Sequence, residues 1–353
     1  MSLTGVARKS GYAVSTVSLV LSGRGDELSI SRKAQERIIR AAEELGYQPN
    51  QLARALQSGK TGTIAVVGST GGFTIRQMRQ YQVASLLRDR GYRVMLYDFS
   101  WDEVDRVRLL REVMAMRPEG VIISEIRNNA PDLLKAVTNI HDKGTPIVSL
   151  DIIDIEGFSD EKFTGIDQVY FDRSAISYGC TRYLLELGHK RIRYVIGGKS
   201  PSNWVSKLRQ RGYEAAMRES GLQITGDDFF WLDSLPAEAN NFEKGRLAVM
   251  GNAFRDGEYT AVLAVNDEVA IGMLRGCDEK GLKVPDDVSI VGSENLPVSA
   301  YASVPLTTMA FPVDKVAGEA VDILMKRLGG WDGAAVNIAV EPSLVIRDSC
   351  RRI

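Results

Sequence analysis

From residue 62 onward the chain alternates short, continuously apolar runs with amphipathic helical patterns, and this alternation limits the fold more than any other feature. The apolar runs fall at 64–68, 94–97, 120–123, 147–150, 192–196, 261–265 and 288–291. Helical periodicity occupies 77–90, 105–116, 172–187, 208–220 and 268–280. A strand with one face in water alternates polar and apolar residues. An unbroken apolar strand must be covered on both faces, and a helix after each strand supplies the cover. The expected body is therefore α/β, built from parallel sheets. In such sheets ligands sit beyond the carboxyl ends of the strands. Polar residues stand at those ends: Ser69, Asp98, Ser124, Asp151, Asn266, Asp267 and the run Ser293, Glu294, Asn295.

The 353 residues exceed one ordinary domain, and the composition, 44% hydrophobic and 25% charged, is that of globular chains able to build cores. No apolar run reaches the roughly 20 residues needed to span a membrane. No basic-then-apolar leader opens the chain, so the expectation is a cytoplasmic protein without a membrane partner. Cys180, Cys277 and Cys350, with His141 and His189, offer no zinc spacing, and the cysteines read as small buried hydrophobes. "VIGGK" at 195–199 lacks the dinucleotide fingerprint. "SGKTGT" imitates a phosphate-binding loop, but Arg54 stands where that loop needs glycine and no strand precedes it. His189 has no neighbouring nucleophile and reads as a helix-end or surface residue. The expectation is a protein that is not an enzyme, with no catalytic residues, metal or cofactor.

The first sixty residues differ from the rest. They hold nine Lys/Arg against five acids, a net +4, which leaves −5 for the remainder of a chain whose total is −1. A basic head on an acidic body points to phosphate. Residues 6–10 read as a short helix ended by Gly11, and residues 14–21 as a second, with Val17, Val20 and Leu21 on one face and Ser15, Thr16 and Ser18 on the other. Two short helices joined by a glycine turn are the helix-turn-helix pattern, whose second helix enters the major groove. Ser31 can cap a third helix over 32–45. Pro49 then breaks the chain, Asn50 can cap, and 51–57 is a helix too short to be stable alone.

"VARKSGYAVSTVSLVLSG", "ISRKAQERIIRAAEELGYQPNQLARALQSGKTGTIAVV", "AVNDEVAIG", "VPDDVSIVG" and "PLTTM", in this order, resemble the LacI family of bacterial transcription regulators over essentially the whole chain. The resemblance implies a helix-turn-helix headpiece at 1–48 and a hinge helix and linker at 49–61. It implies a two-subdomain body like a type I periplasmic binding protein, with an N-subdomain at 62–163 plus 295–323 and a C-subdomain at 164–293 plus 324–353.

It also implies roles. Thr4, Val14, Ser15 and Leu19 fall where relatives contact base edges, with Thr16 on the same face, while Ser18 and Ser31 match phosphate contacts. Tyr47 and Asn50 would bond phosphates beside the hinge helix, where Leu56 would wedge into the minor groove with Ala53 packed beside it. Arg209 would clamp an effector with Asp267 as its partner acid, and Asp151 matches a pocket position. Ser69, Phe73 and Glu294 complete the expected effector site, with Trp204 and Trp231 near its mouth. The sequence departs from the family at Gly5, Ala13 and Leu19, and in "GSEN", 292–295, where many sugar-binding relatives read Gly-Tyr-Asp-Asp.

The function expected is that of a sequence-specific repressor on double-stranded operator DNA. Its affinity would be set by a small metabolite, a sugar, although an aromatic wall would equally stack on a purine. The alternative is a solute-binding transport protein with the same body, which would have no use for residues 1–60. One recognition helix reads half a site, and "VIRDSCRRI" is followed by no heptad segment, so a homodimer is expected.

Overall fold

A computed structural model of the chain describes residues 2–26, 28–48, 59–69, 74–99, 102–126, 130–150, 165–199, 204–254 and 258–353. The chain divides into two units, Met1–Gly62 and Thr63–Ile353.

The first unit is a three-helix cluster. Helix α1 (Leu3–Ser10) starts earlier than its apolar pattern because the Ser2 side chain accepts the Gly5 N–H, and it ends at Gly11, whose φ of 77° suits a residue without Cβ. Helix α2 (Val14–Leu21) follows after the turn, and α3 (Arg32–Glu44) is capped by Ser31. Val6, Ala7, Val17, Val20, Ile38, Ala41 and Ala42 form its core, with Tyr12, Ile30 and Tyr47 packed around it.

The second unit holds two six-stranded sheets. The first runs in the order β11 (Asn337–Val340), β5 (Asp167–Phe171), β4 (Ile147–Leu150), β3 (Gly120–Ser124), β1 (Thr63–Val67) and β2 (Arg93–Tyr97), all parallel. The second runs in the order β12 (Ser343–Val345), β10 (Thr307–Ala310), β9 (Ser289–Glu294), β8 (Ala261–Ala264), β6 (Ile192–Ile196) and β7 (Phe229–Trp231), parallel except for β12. Helices α4 (Thr74–Asp89), α5 (Glu103–Ala115), α6 (Pro131–Asp142) and α11 (Val313–Leu328) belong with the first sheet. Helices α7 (Arg173–Glu186), α8 (Trp204–Glu219), α9 (Asn241–Met250) and α10 (Asp267–Lys280) belong with the second.

Except for 94–97, which forms the edge strand β2 and leaves Leu96 exposed, the apolar runs are largely buried on both faces, as unbroken strands require. In β1, Ile64 and Val66 join one core while Ala65 and Val67 join another. In β6, Tyr194 and Ile196 face one way and Val195 the other. Burying each such large side chain stabilises the fold by about 1.5–3 kcal/mol.

The crossings between lobes differ from those expected. Strand β5 lies in the first sheet, although 164–293 was assigned to the second lobe, and β10 lies in the second sheet, although 295–323 was assigned to the first. Helix α11 packs on α4, β4 and β5, as its residues up to 323 were expected to, but its last turn and β11, which also belongs to the first sheet, fall within 324–353, which was assigned to the second lobe. The chain thus crosses after Phe171, between Ala310 and Val313, and between Val340 and Ser343. The reason is polar content. Asp167 in β5 is held by both Nε and Nη2 of Arg327 at 2.8 Å and by the Val336 N–H at 2.9 Å, partners that an apolar-run pattern does not anticipate.

His189 is a buried residue, not a surface one. It follows α7, with Nδ1 2.9 Å from Thr260 Oγ1 and Nε2 3.0 Å from the Arg351 carbonyl, and burial pushes its pKa down. Cys180 and Cys277 are buried and Cys350 partly so. Among the described residues no helix is long and apolar enough to cross a membrane, and no cluster of His, Cys, Asp and Glu is placed to hold a metal ion.

Candidate functional site

In the first unit, α2 turns Val17 and Val20 inward and leaves Ala13, Val14 and Ser15 exposed, with Thr16, Ser18 and Leu19 half-buried beside them. Ala13 gives α2 no side-chain cap, so its first N–H groups stay open to an incoming acceptor. Thr4 is exposed on α1. Ser31 is exposed but already caps α3, accepting from the Ala34 N–H at 3.4 Å. Tyr47 is half-buried against the three-helix core. Asn50, Ala53 and Leu56 lie outside the described residues.

In the second unit the carboxyl ends of the two sheets supply the polar groups. On the first sheet, Ser69 is buried after β1. Ser124 ends β3, and Glu125 follows it with φ 57°, a left-handed turn. Arg76, in the first turn of α4, donates its Nε–H to Glu125 Oε1 at 2.7 Å. Arg106 holds the same corner from beneath, donating to the Ser124 and Glu125 carbonyls at 3.3 and 2.8 Å and stacking on Phe99 at 4.0 Å.

On the second sheet, Arg209 is buried on α8 and donates through Nη1 to the Val265 carbonyl. Asp267 has a role other than the one expected. It does not pair with Arg209 and it does not cap α10, a task done by Asn266 through the Val269 N–H at 2.9 Å. Its carboxylate accepts from Thr308 Oγ1 at 2.5 Å, Ser299 Oγ at 2.6 Å and the Leu296 N–H at 2.8 Å, tying the start of α10 to β10 and to the chain after β9. Burial raises its pKa and these three donors pull it back. Gly292 permits the arrangement, because a Cβ there would collide with Asp267 Oδ1 and come within 2.8 Å of Leu306. Glu294, at the end of β9, is buried with φ 124°, a conformation costly for any residue but glycine. Burial first, and the negative charge of Asp267 second, push its carboxyl up to about 8.

Among the described residues, five buried polar atoms at or near these strand ends have no hydrogen-bond partner: Ser124 Oγ, Glu125 Oε2 and Ser149 Oγ on the first sheet side, and Arg209 Nε, on α8, and Glu294 Oε2 on the second. Such atoms are costly unless something fills the space before them. One hydrogen-bond chain links the two lobes: Thr74 Oγ1 donates to Glu268 Oε1 at 2.6 Å, and Asn241 Nδ2 donates to Glu268 Oε2 at 2.7 Å.

The structure thus brings Arg209 and Glu294 together at the ends of β8 and β9 and leaves Ser69 at the end of β1 in the other sheet, while Phe73 and Asp151 lie outside the described residues. Trp231 packs against Phe229, ring centres 5.9 Å apart, and the side chain of Trp204 lies outside what is described. Sequence reasoning missed Glu125, Ser149, Thr74 and Glu268. Ser124 at a strand end was the nearest signal to the first two, and "VNDE" contained the last.

The comparisons agree with this architecture. Residues 2–50 match the model of bacterial regulatory proteins of the lacI family, and residues 181–350 match the periplasmic binding protein-like domain. The HTH-type transcriptional repressor PurR of Histophilus somni is 27% identical over 351 residues, covering 99% of this chain and 98% of that protein. The lac repressor dimer bound to operator and the anti-inducer ONPF superposes with a TM-score of 0.80 at 23% identity, covering 99% of each chain. The regulator CelR in complex with cellobiose superposes with a TM-score of 0.67 at 24% identity, again over 99% of each.

A lacI-type helix-turn-helix followed by a periplasmic-binding-like body defines a class, the DNA-binding transcriptional regulators. This chain belongs to the LacI family.

Proposed function

We propose that the chain is a repressor whose operator affinity is set by a small polar metabolite held between the two lobes of its body. The observation that carries this reading is that, among the described residues, five buried polar atoms at or near the carboxyl ends of the two sheets have no hydrogen-bond partner. A ligand rich in hydroxyl groups answers them best, since a hydroxyl both donates and accepts. Glu125 wants a donor, Arg209 wants an acceptor, and the two serines and Glu294, whose carboxyl holds its proton up to about pH 8, can do either. A sugar fits that mixture, and the cellobiose complex of CelR is a precedent within the fold. Asp267 serves in this reading as a brace that holds the end of β9, and Glu294 with it, in place.

We also propose a homodimer, in the cytoplasm, on a two-fold operator. Tyr81 (67% exposed) on α4, Leu96 (56%) on the edge strand β2 and Val104 (75%) on α5 are exposed apolar side chains of the first lobe that a second copy would cover. The lac repressor structure is itself of a dimer.

The test is a thermal-shift screen of the full chain against monosaccharides, disaccharides and purine bases. A ligand that binds only the folded state raises Tm, by an amount set by its concentration relative to Kd. A sugar that raises Tm of the wild type but not of Arg209→Ala supports the site. A purine that alone does so replaces the sugar assignment. No shift with any compound removes the effector reading and leaves the DNA-binding assignment standing.

A further inference from the structure

We infer that the recognition helix reads its operator through thymine methyl groups, with Val14 and Leu19 as the specificity-determining residues, and not through a bidentate side-chain contact to guanine or adenine. The inference rests on the reading of the headpiece as the DNA-binding unit and deepens it by naming the base feature recognised.

Major-groove discrimination has a short list of chemical means. Arg or Lys pairs with guanine, Asn or Gln with adenine, Glu or Asp with cytosine, and apolar groups meet the thymine C5 methyl. Helix α2, "VSTVSLVL", contains none of the first three kinds. Val17 and Val20 are spent on the core. What remains outward is the methyl pair of Val14, 42% exposed at the helix start, the hydroxyls of Ser15 and Ser18, the half-exposed Leu19 one turn further on, and, toward the side of the strip, the half-buried Thr16. Val14 and Leu19 are five positions apart, so with Ser15 and Ser18 they border one strip of the helix surface.

Two polar side chains of neighbouring elements that could read a base are already engaged. Gln35, the amide side chain nearest the turn after α2, has its Nε2 committed at 2.8 Å both to Asp26 Oδ1 and to the Ile30 carbonyl. Lys9, on α1, is paired with Glu44 at 2.7 Å. Hydroxyls bond to phosphates or to any base and discriminate weakly. The strongest selective contact this surface can make is therefore apolar, and in the major groove the matching apolar group belongs to thymine.

The experiment uses the full chain. A random duplex pool is selected at low salt, with and without a mixture of monosaccharides and purine bases. Each thymine of the enriched half-site is then replaced by deoxyuridine, which keeps base pairing and loses only the C5 methyl. Affinity should fall about fourfold at one or two positions, the worth of one buried methyl group. Val14→Ala, at an exposed site that folding does not depend on, should weaken binding to the thymine duplex and lose that sensitivity, staying within about twofold between thymine and deoxyuridine duplexes, because two changes at one contact do not add. A wild-type chain indifferent to every deoxyuridine replacement overturns the inference. So does an enriched half-site without thymine, or salt-dependent binding with no enrichment. A chain that binds no duplex under any condition overturns the DNA-binding reading itself, an outcome distinct from the other three.

Discussion

Glu294 and Asp267 are both buried acids at one strand end, yet they lead to opposite expectations. Asp267 receives three hydrogen bonds from its surroundings, so Asp267→Ala leaves the Leu296 N–H and two hydroxyls without their acceptor. A loss of about 3–5 kcal/mol is expected, read as a lowered denaturant midpoint, while unchanged stability would show that the carboxylate faces a ligand instead. Glu294 has an oxygen with no partner and a carboxyl pushed up from 4.5 to about 8. Between those two values the folded chain holds a proton that the unfolded chain has released. The associated stability is complete below about pH 4.5 and is lost as the pH rises toward 8. Glu294→Gln, a neutral isostere, should abolish that loss. Melting curves from pH 5 to 8 should show the wild type falling relative to the variant by roughly several °C. Parallel curves would mean that Glu294 is ionised and compensated throughout. Arg209 and Glu294 were both legible in the sequence, one from its motif and the other from standing at the end of an apolar run. Glu125 was not, because its burial depends on a left-handed turn and on Arg76, 49 residues away.

At the scale of the element, strands differ in how their burial is arranged, and that difference governs both legibility and fragility. Strands β1, β3, β4, β6 and β8 are predominantly apolar, with Ser149 in β4 and Arg193 in β6 as internal exceptions, and were visible as such. Strands β5, β10 and β11 were not, since Asp167, Gln168, Thr307, Thr308 and Asn337 interrupt them. Three of the four interruptions in the first two are answered from far along the chain: Asp167 by Arg327, Thr308 by Asp267 and Thr307 by Ser349, whose Oγ accepts the Thr307 N–H at 2.8 Å. These are the strands on which the lobe crossings turn, which is why the subdomain boundaries could not be placed by apolar pattern alone. The Arg327–Asp167 pair should be the more fragile for it. Asp167→Asn keeps the shape but removes the charge that a largely buried guanidinium faces through two hydrogen bonds, and a loss of about 3 kcal/mol is expected in urea unfolding. Hydrogen exchange should report the loss at β5, β11 and the end of α11 first. Uniform loss across both sheets would show instead that the pair does not act locally.

For the whole molecule, a ligand between the lobes can alter DNA affinity only by favouring one lobe arrangement over another. The Thr74–Glu268–Asn241 chain already favours the arrangement in which the lobes meet, so a ligand adds to a bias the protein carries by itself. For that bias to reach DNA, two recognition helices must be held at a fixed separation, and a two-fold dimer is the economical way to hold them. The edge strand β2 makes this testable. A sheet-edge strand carrying an exposed Leu96, with Tyr81 and Val104 also exposed on the first lobe, is a liability in a monomer and an asset under a second copy. Leu96→Arg places a charge there without touching the sheet's buried residues. The wild type should scatter light as a dimer at micromolar concentration and the variant as a monomer. The variant should keep its melting temperature and any ligand-induced shift, since the ligand groups all come from one chain. Its affinity for a palindromic duplex should fall by a factor of ten or so or more, because doubling the contact through one linked partner is lost. A monomeric wild type would sink the proposal outright. A variant that stays dimeric with full affinity would move the interface away from β2, to the second lobe, where Tyr301 stands 88% exposed.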